Sequence, residues 1–67
     1  MYSNPKLDEA GLKVLENQLA YEAMMNRKYS LYASYFNDAQ LKNLCQKSSN
    51  KHKENYNNLL NYLLSHQ

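Results

Sequence analysis

With 67 residues, 21% of them charged and a net charge of +2, the chain is long enough for one small domain and too short to bury a comfortable core alone. A single cysteine excludes an internal disulfide, and no Cys/His spacing of the zinc-binding kind occurs. The apolar runs are too short and interrupted to span a membrane, and the first residues lack a signal-peptide apolar region, so a soluble cytoplasmic protein without membrane association is expected. The lysines are scattered, with only Lys47, Lys51 and Lys53 clustered, which reads as a solvated helix face rather than a nucleic-acid patch. One Gly and one Pro in the whole chain favour an all-α fold.

The chain opens with a short arm, Met1 to Lys6. Pro5 suits a first helical turn with Asn4 as its cap, and Asp8 is a rival cap with Leu7 and Leu12 in staple positions around it. The start of the first helix is therefore open by a turn. Gly11 in those turns costs about 1 kcal/mol relative to Ala and marks a weak beginning.

The first helix is expected over about 8–36. Leu12, Leu15, Leu19, Glu22, Asn26, Tyr29, Ala33 and Phe36 recur at steps of three and four and form one stripe. Beside it runs a second apolar stripe of Val14, Tyr21, Met24, Met25, Leu31, Tyr32 and Tyr35. Together the stripes cover roughly two-thirds of the helix circumference. A single partner helix covers only one of them. Tyr21, Met24, Met25, Leu31, Tyr32 and Tyr35 are therefore expected to form an oligomer interface, in a homodimer or larger assembly.

Phe36 to Leu41 is a polar break. Asn37 is a good N-cap, Gln40 completes a capping box three residues on, and Phe36 with Leu41 fits a hydrophobic staple. The turn is placed at 37–38 and the second helix at about 38–65, with Leu41, Cys45, Ser48, His52, Tyr56, Leu59 and Leu63 as its stripe. Ser48, Ser49 and His52 interrupt that stripe where Glu22 and Asn26 interrupt the first. Glu22 and His52 are equally far from Asn37, so in a hairpin they stand at one height. The expected fold is one domain over 1–67, an antiparallel helical hairpin that dimerises into a four-helix bundle.

Glu22, Tyr29 and Ala33-Ser34, at their spacing of six and three intervening residues, resemble the first metal-binding helix of ferritin-like, rubrerythrin-type proteins. The second helix of that family carries Glu-x-x-His, and the matching segment here is Ser49-Asn50-Lys51-His52. The resemblance spans about Leu15 to Leu63 and implies a ferritin-like bundle in which Glu22 and His52 are the remnant metal ligands. Ser49 replaces the carboxylate that di-iron chemistry needs, so two copies would offer two glutamates and two histidines, a set suited to zinc more than to paired iron. The short chain is also similar to the ferritin-like hairpins of the spore coat F type.

That likeness implies a non-catalytic structural or assembly protein in the spore coat, with other coat proteins as partners and no cofactor; apart from the likeness, the expected location is the cytoplasm. The alternatives are a metal-binding or vestigial di-iron protein of the rubrerythrin kind, holding zinc or iron, and a basic helical interaction module. An enzyme is not expected, nor is nucleic acid as a partner. Cys45 reads as a small core residue, Met24 and Met25 as interface, and His66 as an exposed tail residue. The seven tyrosines suit interfaces that are dry at one end and wet at the other, or oxidative cross-linking in a layer.

Overall fold

The computed structural model describes residues 7–66, and Asn4, Pro5 and the arm Met1 to Lys6 lie outside them. Two helices, α1 (Glu9–Tyr35) and α2 (Ala39–Ser65), lie packed against each other as a hairpin. Asp8 caps α1: its Oδ1 accepts the Gly11 N–H at 2.6 Å while its carbonyl accepts the Leu12 N–H. Gly11 is more than a weak point. A methyl group there would sit 2.8 Å from Asp8 Oδ1, so the missing Cβ is what lets the cap close this tightly.

The cap of α2 is Asp38, not Asn37. Asp38 Oδ1 accepts the Gln40 and Leu41 N–H groups at 2.8 and 3.0 Å. A carboxylate brings a full negative charge to the positive end of the helix, which an asparagine amide cannot. Moving the cap by one residue dissolves the expected capping box, and Phe36 and Leu41 stay exposed instead of forming the staple. Replacing Asp38 by Ala is therefore expected to cost about 1 kcal/mol in urea unfolding and Asn37→Ala close to nothing. The reverse ranking would restore Asn37 as the cap.

The far end is closed by Leu7 and His66. Leu7 N–H donates to the His66 carbonyl at 3.3 Å, and the His66 ring stacks on Tyr62 at 3.7 Å. His66 is thus half-buried, with Nδ1 beside the Ser65 hydroxyl and the Tyr62 carbonyl, rather than a solvated tail residue.

Two helices make one layer, measuring 52 × 23 × 10 Å. Among the described residues only Leu15 and Leu19 are buried apolar side chains, and Cys45 is half-buried. The layer has two unlike faces. At 100° per residue, Val14, Tyr21, Met25 and Tyr32 share one side of α1, flanking the half-buried Tyr29, with Leu44 and Tyr62 of α2 on the same side of the layer. The opposite side carries Arg27, Ser30 and Ser34 of α1 facing Lys42, Gln46 and Lys53 of α2. Met24, Leu31 and Tyr35, exposed at 46%, 52% and 70%, lie further round on the outer flank of α1.

Candidate functional site

The middle of the hairpin is polar. Glu22, on the inner stripe of α1, is 6% exposed, and its Oε1 lies 2.5 Å from His52 Nδ1 on α2. The structure thus brings together the two residues singled out by their equal distance from the turn. An ionised carboxylate only accepts, so Nδ1 carries the proton and donates, which leaves Nε2 as the nitrogen not bonded to Glu22. Gln18 Nε2–H donates to Glu22 Oε2 at 2.8 Å, and Asn55 Nδ2–H reaches Oε1 at 3.4 Å. Both carboxylate oxygens are engaged. Gln18 precedes Glu22 by one helical turn, a spacing that the sequence displays openly.

The imidazole is held by rings as well. Tyr29 stacks on it with ring centres 5.7 Å apart and planes at 6°, and Tyr21 meets it edge-on at 6.0 Å. His52 therefore has a fixed orientation at the floor of the tyrosine face. The His52 hydrogen bond holds the Glu22 carboxyl below its ordinary pKa, burial pushes the other way, and Gln18, Asn55 and the charge on His52 add to the lowering.

The sign of the pH effect follows. A carboxyl with a lowered folded-state pKa adds stability that is complete above its unfolded value, near 4.5, and is lost as pH falls through the lowered value. Glu22→Gln is expected to destabilise the fold by about 2 kcal/mol at neutral pH, the worth of a charged hydrogen bond. That gap should shrink below pH 4.5 as the wild-type carboxylate is protonated. Urea unfolding across pH checks this, and a pH-independent gap would contradict it.

One turn towards the loop lies a second polar group, at the level where Asn26 and the Ser48–Ser49 pair interrupt the two stripes. Ser49 is 1% exposed, and its hydroxyl donates to the Asn26 carbonyl at 2.8 Å. Asn26 Nδ2–H donates back to the Ser49 carbonyl and Oγ, both at 2.9 Å, and the Ser30 hydroxyl lies 2.7 Å from Ser49 Oγ. This clasp ties α1 to α2 at one register. No buried side-chain nitrogen or oxygen among the described residues lacks a partner.

Chemically, the site is an oriented imidazole backed by a carboxylate, without a nucleophile beside it. Cys45 lies seven positions before His52 on α2, about 10 Å along the axis. Among the described residues no group of three or more His, Cys, Asp or Glu side chains could hold a metal ion within one chain. No helix among them is long and apolar enough to cross a membrane. No protein-family model, curated protein or solved structure matches the chain.

Proposed function

We propose that this chain is a non-catalytic structural building block whose hairpins pair through the tyrosine face into a four-helix bundle. The observation that carries this reading is the unfinished layer. Large apolar side chains stay exposed on one face, Val14, Tyr21, Leu44 and Tyr62 among them, and a single layer of two helices leaves them uncovered.

The occupant best suited to this face is a second copy. Its charges sit at the margins: Lys28, lying 6.0 Å over the Tyr32 ring, and Lys51, paired with Glu54 at 3.8 Å. A two-fold axis then sets one largely apolar patch against itself, with the two His52 imidazoles at its floor. Tyr21, Met25 and Tyr32 would lie inside the pairing, with Met24, Leu31 and Tyr35 at its edge. The spore coat F type resemblance would place such an assembly among other coat proteins. Light scattering at micromolar concentration should give at least twice 7.9 kDa, and a cooperatively melting monomer would overturn the reading.

A second reading has its own observation. A histidine whose Nδ1–H is held by a carboxylate, leaving Nε2 for another partner, is the arrangement metal-binding histidines use. Paired across a dimer axis, two His52 imidazoles, each oriented by its own Glu22, would suit zinc better than paired iron, because each copy has Ser49 in place of a second carboxylate. Protein purified without chelators is expected to carry well under one iron per subunit and to consume no peroxide. Two irons per dimer with peroxide turnover would replace the structural reading with a catalytic one.

A further inference from the structure

On the side away from the tyrosines, the helices leave a groove of about 240 Å³ lined by Ala23, Asn26, Arg27, Lys53, Tyr56 and Asn57. Arg27 comes from α1 and Lys53 from α2, so two cations from different helices converge on one concave site. No acidic residue lines it. Among the described residues neither cation has an ion pair or an aromatic partner: Lys51 pairs with Glu54, Lys28 lies over Tyr32, and Glu22 is taken by His52. Two like charges converging on a groove repel each other, and an anion between them turns that repulsion into attraction.

We propose that this groove binds a phosphate-like oxyanion. Arg27 offers a planar fork of N–H donors and Lys53 a point charge. Asn57 adds an amide N–H₂ and Tyr56 a hydroxyl. That set exceeds what the two oxygens of a carboxylate can use and suits the four oxygens of a tetrahedral anion. Ala23 is the smallest lining side chain and leaves room for the ligand. Asn26 belongs to the wall rather than the donor set, because its Nδ2 is committed to Ser49. The clasp thereby fixes the wall from which Arg27 projects, one residue on. The site faces away from the proposed pairing face, so it stands whether or not the hairpin dimerises.

The test is an NMR titration of the intact chain with inorganic phosphate, ionic strength being held constant with sodium chloride. Saturable shifts are expected at the Arg27 side chain, the Asn57 amide and the Tyr56 ring. Arg27→Gln and Lys53→Gln should each weaken binding about tenfold, the worth of one charged hydrogen bond. Lys47→Gln, an exposed lysine outside the groove, should leave it unchanged. Arg27 and Lys53 are both exposed, so the variants should fold, and circular dichroism of each confirms that. Phosphoserine binding at least as tightly as phosphate would locate the anion on a phosphorylated partner. Binding of phosphate alone would make it a free ion, and either result upholds the site. Shifts that fail to saturate, that chloride reproduces, or that survive in the double variant would overturn it.

Discussion

Replacing Ser49 by glutamate is expected to unfold the hairpin rather than to build a metal site. The substitution restores Glu-x-x-His with His52, which the rubrerythrin resemblance would translate into iron or cobalt binding. The clasp argues otherwise. Ser49 Oγ is within 2.9 Å of the Asn26 carbonyl, Asn26 Nδ2 and Ser30 Oγ, and the residue is 1% exposed. A glutamate there adds three heavy atoms and a charge where a hydroxyl already fills the space. An unpaired buried charge costs about 3–5 kcal/mol, and overpacking adds to it. A chain this small holds about as much stability in total. Ser49→Ala is the milder control: it should cost about 1–3 kcal/mol through the lost hydroxyl bonds and still fold. Circular dichroism with and without cobalt reads both variants. A folded Ser49→Glu protein that takes up cobalt would show that the clasp can open, and would support a ferritin-like reading of α2.

Met25→Lys is expected to have a comparable effect by a different route. Met25 is half-buried, on the tyrosine face beside Tyr21 and Tyr32. In an isolated hairpin a lysine there can reach water and should cost under about 1 kcal/mol. In a bundle paired through this face it places two ammonium groups in a dry interface, at several kcal/mol each. Since association and folding are then one equilibrium, the variant should lose mass and helicity together at micromolar concentration. Tyr32→Lys should follow it. Met24→Lys, on the outer flank, should do less. Equal effects at positions 24 and 25 would move the pairing face round towards the flank.

The helices themselves were legible because apolar residues at steps of three and four persist through both, and one Gly and one Pro leave little to interrupt them. Equal distance from the turn was enough to pair Glu22 with His52, since that reasoning needs only the rise per residue. It did not foresee the ring stacking of Tyr29. The cap was misplaced by one residue because Asn37 and Asp38 are both good caps and Gln40 favoured the first. The charge on Asp38 decides it, which residue spacing does not express. Of the clasp, the level was legible and the inward serine was not. Ser48 and Ser49 both interrupt the stripe, adjacent residues point 100° apart, and only the exact start of α2 says which of them turns inward. The Arg27–Lys53 groove could not be read at all, because it joins residues from the polar faces of two helices and no periodicity links them.

The most direct measurement of the pairing itself is an isotope-filtered NOE experiment on a mixture of labelled and unlabelled chains. A bundle joined through the tyrosine face gives contacts between copies at Tyr21, Met25 and Tyr32 and none at Arg27, Ser30 or Lys53. Absence of contacts between copies at a concentration where the chain is folded, or contacts confined to the Arg27 and Lys53 side, would contradict it.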